Sequence, residues 1–198
     1  MSVNSKTVFV GAPDQAVTGA ILTGPETDVI PATIDDFDFD GLDDSGYVNE
    51  DGVMITPSES TESIKDWSMK VIRKVLTEFD GTIAWTHLEM SVGALKNYMG
   101  EDNVEVTEAT SSKGTQTRSA IAGKDRPIKG WYFKIKDGAR RAVVFAPHGQ
   151  VTERGEIPLV ASGPVTLPVT VSTYPDADGN NIYIYTDDGV VSASTGDE

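Results

Sequence analysis

Short apolar stretches separated by turn residues set the pattern of this chain. KTVFVGAP (6–13) ends at Pro13, and Gly19, Gly24-Pro25 and Pro31 cut the next segment into short apolar pieces. That spacing predicts several short strands or an extended arm. DGVMITPSES (51–60) predicts a strand entered through an Asp-Gly turn. Asp80-Gly81 reads as another hairpin turn, followed by a strand over TIAWTHL (82–88). Leu88, Val92, Leu95 and Met99 then share one helical face, ahead of Gly100. They predict a short helix over about 90–99, with Thr86/Glu89 at capping-box spacing and Ser91 as a second candidate cap.

SIKDWSMKVIRKVLTEF (63–79) is ambiguous. Ile64, Trp67, Val71, Ile72, Val75, Leu76 and Phe79 fall at helical spacing. Read as a strand, the segment alternates less cleanly, and local pattern alone favours a helix. Further on, NVEVT (103–107) predicts a strand and 108–127, small, polar and Gly-containing, predicts one long mobile loop. KGWYFKIKDGARRAVVFAP (129–147) predicts a hairpin turning at Asp137-Gly138, with Trp131, Phe133 and Ile135 on one face and Tyr132, Lys134 and Lys136 on the other. Residues 165–174 and 181–186 predict a final strand pair joined through Asp178-Gly179. The sum is a mainly β chain with a single short helix, of β-sandwich or barrel class.

Composition narrows the function. At 198 residues, 24% charged and 38% hydrophobic, the chain has the make-up of one folded domain with length to spare for an extension. It has no Cys, so disulfides and thiolate metal sites are excluded. No apolar run approaches the ~20 residues that span a bilayer, and the start lacks the pattern of a secretory signal, so folding in a cytoplasm is expected. Charge is unevenly spread: residues 7–64 hold thirteen acids and no Lys or Arg, 155–198 hold seven acids and no base, and 65–154 hold fifteen bases against eleven acids. A net charge of −15 argues against a duplex binder, which needs clustered Lys and Arg. It leaves open either plain solubility or acidic and basic faces that meet in self-assembly.

Residues 32–52 carry eight acids and no base. Asp36, Asp38, Asp40 and Gly41 match the opening of an EF-hand loop, but position twelve is Tyr47 where a bidentate Glu is needed, and position eight is Asp43. With Asp44 these acids predict a solvated segment rather than a metal site. Asp176, Asp178 and Asn180 read likewise as a polar turn. The two histidines, His87 and His148, have no nucleophile placed with them, and no phosphate loop or nucleophile elbow occurs. Neither a catalytic site nor a cofactor is expected. A competing reading is a carbohydrate- or surface-binding β-sandwich, with Trp85, Trp131, Tyr183 and Tyr185 as a sugar platform.

Four stretches carry a resemblance: GYVNEDGVMITPSESTESIKDWSMKVIRKV (46–75), GTIAWTHLEMSVGALKNYMG (81–100), FAPHGQVTERGEIPL (145–159) and VTLPVTVSTYPDADGNN (165–181). In that order they resemble the major tail protein, the tail-tube subunit, of long non-contractile-tailed bacteriophages, especially of actinobacterial hosts. The resemblance covers residues 40–186 and is one of overall pattern, without a catalytic signature.

The resemblance implies that 63–79 is one strand of a long β-hairpin (about 52–80), with MITPSES and DWSMKVIRKVLTEF as its arms and a tip near Ser60–Lys65. It implies an acidic N-terminal arm and lead-in over 1–50, a tail-tube β domain over 51–186 and a flexible tail over 187–198. Subunits would form hexameric rings stacked head to tail, meeting tape measure, tail terminator and distal tail proteins, in a virion made in the host cytoplasm. DNA would pass through without specific binding, and no membrane is involved. Ser60, Ile64, Lys65, Asp66, Trp67, Lys70 and Arg73 are the expected subunit contacts. The alternative for Trp67 is a place in its own subunit's core.

Overall fold

The computed structural model describes residues 8–15 and 19–191. Its described strands are β1 (Ile21–Pro25), β2 (Asp43–Asp44), β3 (Met54–Lys65), β4 (Val71–His87), β5 (Val104–Thr107), β6 (Gln116–Ser119), β7 (Ile128–Asp137), β8 (Arg140–Arg154), β9 (Leu167–Thr173) and β10 (Tyr183–Asp187); α1 is Val92–Met99. Seven strands run β2-β1-β7-β8-β9-β4-β3 in one sheet, β10 joins it on β8, and β5-β6 form a separate ribbon. The sheet curls until its ends approach. Val48 bridges His87, Asn49 N–H donates to Thr86 O, and Leu88 N–H donates to Tyr47 O. The chain beyond β2 thus reaches the edge of β4 that β9 leaves open. The mainly β expectation holds.

Alternation builds the core. From Gly81 to His87 every second residue of β4 is buried, and β9 repeats the pattern. Ile83, Trp85, Trp131, Phe133, Val144, Val151, Leu167, Val169 and Val171 fill the inside of the curl, and Ala94, Leu95, Tyr98 and Met99 of α1 cover it. The helix starts where Ser91 Oγ accepts the Ala94 N–H at 3.3 Å. It stops at Gly100, whose φ of 93° suits glycine and whose N–H donates to Lys96 O. Glu89 caps nothing; its carboxylate accepts the Tyr47 N–H and ties the lead-in to the helix start.

Four expectations are corrected. Asp80-Gly81 is not a turn, because β4 runs straight through it. Gly81 is there for close approach: a Cβ would lie 2.6 Å from Thr173 Oγ1, which donates to Gly81 O. Residues 108–127 are not one loop, since β6 within them pairs with β5. The last two strands do not pair with each other. β9 pairs with Gly149–Arg154 of β8 and β10 with Arg141–Phe145, so they lie end to end along one edge of β8 while 174–182 loop out. Finally, Trp85 and Trp131 are 4% and 1% exposed, so they cannot form a sugar platform.

A buried polar chain pins three elements together. Trp85 Nε1–H donates to His87 Nε2 at 3.0 Å, His87 Nδ1 meets Ser45 O at 3.1 Å, and Asn97 of α1 donates to Ser45 Oγ at 2.8 Å. With Nε2 accepting, His87 is neutral and carries its proton on Nδ1. Its burial pushes the pKa from 6.5 down to about 4. The unfolded chain therefore takes up a proton near pH 6.5 that the folded chain refuses until about 4. Stability should fall as pH drops through this window, by about 3 kcal/mol for a shift of this size. Denaturant unfolding at stepped pH checks this. His87→Gln should flatten the slope above pH ~4.5, below which ordinary carboxylates titrate; an unchanged slope would assign the acid sensitivity elsewhere.

Candidate assembly surface

Before Gly81, residues 71–80 of β4 stand clear of the body, and with β3 they form a hairpin exposed on both faces. The ambiguous segment is therefore not helix, but it is not one strand either: 63–65 end β3, 66–70 turn, and only 71–79 lie on β4 as the resemblance implied. The tip, however, is at 66–70, not near Ser60–Lys65. Asp66 N–H donates to Lys70 O and Met69 N–H to Asp66 O. The Asp66 carboxylate accepts the Ser68 hydroxyl at 2.7 Å and the Lys70 N–H at 2.9 Å, which lowers its pKa. Met69 sits at φ 64°, a left-handed conformation that non-glycine residues adopt at a cost. This closed turn holds Trp67 out in water at 102% exposure. Its own core does not contain it.

Two register shifts sort the hairpin's faces. Ser60 pairs with Glu78 and Thr61 with Leu76; Ile64 pairs with Arg73 and Lys65 with Val71. Thr77 and Ile72 are thus extra residues on β4, and each bulge resets the alternation. Paired residues share a face, so Val71, Lys74, Leu76 and Phe79 continue the core-side face of Ile83. Arg73, Val75, Glu78 and Asp80 lie on the other face, beside Ser58, Ser60, Glu62 and Ile64. Phe79, Leu76 and Val71 remain 40–54% exposed, a row of apolar side chains that the subunit itself does not cover. Of the expected contact residues, Ser60, Ile64 and Arg73 share one face, while Lys65, Asp66, Trp67 and Lys70 lie at or beside the tip.

The acidic segment takes a different course. Phe37 and Phe39, with Ile30 and Leu42, pack on the outer sheet face against Leu22, Tyr132 and Phe145, beside Tyr183 and Tyr185. Phe37 meets Tyr185 edge-on at 4.8 Å, and Tyr185 OH donates to Pro31 O. The aromatics hold the strap down while most carboxylates serve local turns. Asp36 accepts from Thr33, Asp38 from the Asp40 N–H, and Asp44 from Gly19 and Gly46 N–H. Asp43 lies 3.8 Å from Lys96, and Arg141 pairs with Asp35 and Asp187. With these oxygens committed to backbone turns, calorimetric titration with calcium should show no saturable site. A stoichiometric site of micromolar affinity or better, lost in Asp38→Ala, would overturn that expectation.

The second histidine, His148, lies 3.1 Å from Asp28 and 3.5 Å from Glu26, on the surface and far in sequence from His87. Sequence reasoning did not find the strap's aromatic anchors as a unit, although Phe37-x-Phe39 is visible as alternation. It also could not find the bulges, which leave no residue signature.

Comparison with known proteins gives three findings. A family model described as phage tail tube protein matches residues 1–196. Comparison with curated proteins gives no match. Among solved structures, the anti-feeding prophage cap, titled a tube terminating cap, aligns over 94% of this chain and 100% of that chain at 10% identity and a TM-score of 0.46.

Proposed function

Because the chain belongs to the phage tail tube protein family, and is thus a structural component of the virion tail, we propose that its hairpin makes the contacts by which subunits join into a tube. The carrying observation is the hairpin itself: a hydrogen-bonded tip that presents Trp67 to water, and an uncovered apolar row at Val71, Leu76 and Phe79. Left in water that surface favours association, and a neighbouring copy is the partner always present during assembly.

The subunits close into hexameric rings that stack head to tail. A heterologous contact closes in the ring direction and stays open along the stack. Tape measure, terminator and distal tail proteins meet the ends of that stack. The chain acts without catalysis, cofactor or metal. The channel passes DNA without holding it, since net charge −15 repels phosphate. Residues 32–52 serve as an acidic lead-in; in the free subunit 30–42 fold back on their own sheet. Of the C-terminal tail over 187–198, residues 192–198 lie outside the described residues, as do 1–7 and 16–18 of the N-terminal arm.

Negative-stain microscopy of the purified protein at high concentration tests this reading. Hollow tubes of uniform width are expected. Monodisperse single subunits under all conditions would defeat it.

A further inference from the structure

The cavity at the hairpin's root matches the hairpin's tip. Its volume is about 380 Å³, and Ala20, Ile21, Val48, Ile55, Phe133 and Ile135 contribute its apolar wall. That is enough room for an indole ring, with a few polar groups to orient it. Three of the wall residues, Val48, Ile55 and Ile135, pack on the main core without being fully buried. Asn49, Glu50, Gly52 and Val53 also line it, in a run, NEDGV, with two acids and no base; the one base in the lining, Lys134, has its ammonium 5.5 Å over the Phe39 ring. The tip has the opposite sign: Lys65, Lys70, Arg73 and Lys74 surround one acid, Asp66. No ion pair among the described residues engages these four bases.

Trp67 cannot reach the cavity of its own chain. The cavity opens at Val53 and Ile55, where β3 begins, and the tip lies beyond its far end. At strand rise, the twelve residues of β3 separate them by about 40 Å. The occupant must come from elsewhere. A second copy carries a fully exposed indole on a closed turn, flanked by the charges that complement this acidic run.

We infer that Trp67 of one subunit seats in the root cavity of the next, with Lys65 and Lys70 against Glu50 and Asp51. This rests on the tube reading above and names its contact. The contact is heterologous: in a head-to-tail row the end copies keep one free tip and one free cavity, so it propagates. It also places the roots of successive copies about 40 Å apart, the strand-rise length of the hairpin.

The absence of Cys makes the test clean. Lys70→Cys and Glu50→Cys are combined in one chain, with Trp67 kept, and assembled material is treated with a short thiol-to-thiol crosslinker. The expected result is a ladder of crosslinked oligomers that neither single-cysteine chain gives. A second measurement uses the wild-type chain. Trp85 and Trp131 are buried, so acrylamide quenching reports mainly Trp67, and it should fall several-fold on assembly. Tubes that form without a ladder, or with Trp67 still quenched as in the free subunit, overturn the cavity contact and leave the tube reading standing. A wild-type chain that never forms tubes overturns both.

Discussion

Trp67→Ala leaves the subunit folded and stops it assembling. The side chain is 102% exposed, so its removal opens no cavity in the subunit and breaks no core contact. The turn that holds it is closed by Asp66, Ser68, Met69 and Lys70, none of which is altered. The melting curve of the free subunit should therefore match wild type within the small range of surface substitutions, about ±0.5 kcal/mol. Assembly should respond differently. Truncating an aromatic anchor at the centre of an interface costs ~2 kcal/mol or more, roughly a 30-fold loss of affinity per contact. A polymer repeats that loss at every subunit, so tubes should be absent where wild type forms them. Normal tube formation by the variant would remove the reason for assigning the tip to a subunit contact. A large drop in melting temperature would show that Trp67 has a partner in its own chain.

Trp131→Ala gives the reverse signature. Trp131 is 1% exposed, its ring lies 5.1 Å from that of Trp85, and its Nε1–H donates to Gly149 O at 3.0 Å. Deleting it leaves a cavity in the middle of the curl and removes the indole donor to Gly149 O. The expected loss is about 3–5 kcal/mol, out of a total that for most domains is only about 5–15. For a chain of this size that is a drop in melting temperature of roughly 10 °C. Thermal unfolding of the free subunit measures it directly, and a change below ~1 kcal/mol would mean the core is not organised around this residue. Any failure of Trp131→Ala to form tubes then follows from unfolding. The two tryptophans separate folding from assembly.

The body of the fold was legible because its chemistry is local. Alternation in 82–87 and 129–135, turn residues at Asp137-Gly138, and Ser91 and Gly100 around α1 each name an element within a few residues. The hairpin was not legible from local pattern. Its bulges explain why. Same-face positions along β4 run 71, 74, 76, 79, 81, 83, so each extra residue stretches a strand period of two into a step of three. Steps of three mimic helical spacing, and only the family resemblance outweighed them. The partner of β10 was misread for another reason: nearness in sequence favours β9, whereas both strands serve one long edge of β8. The candidate contact residues could be named, but not their division between a tip and one face, because that depends on which residues bulge.

The strand order also fixes when, during synthesis, the subunit can close. β1 at Ile21–Pro25 pairs with Lys129–Phe133, and β4 at Gly81–His87 pairs with Leu167–Thr173. Neither edge has its partner until most of the chain has emerged, and such distant pairings are slow because loop closure comes before any gain. The β3–β4 hairpin needs only residues 54–87 and can form long before the sheet that will anchor it. A nascent chain thus presents the hairpin's apolar row, and an unpaired edge of β4, while the body is still open. Yield of soluble subunit should then depend on how fast residues 128–173 follow the hairpin out of the ribosome, a kinetic demand set by topology rather than by final stability.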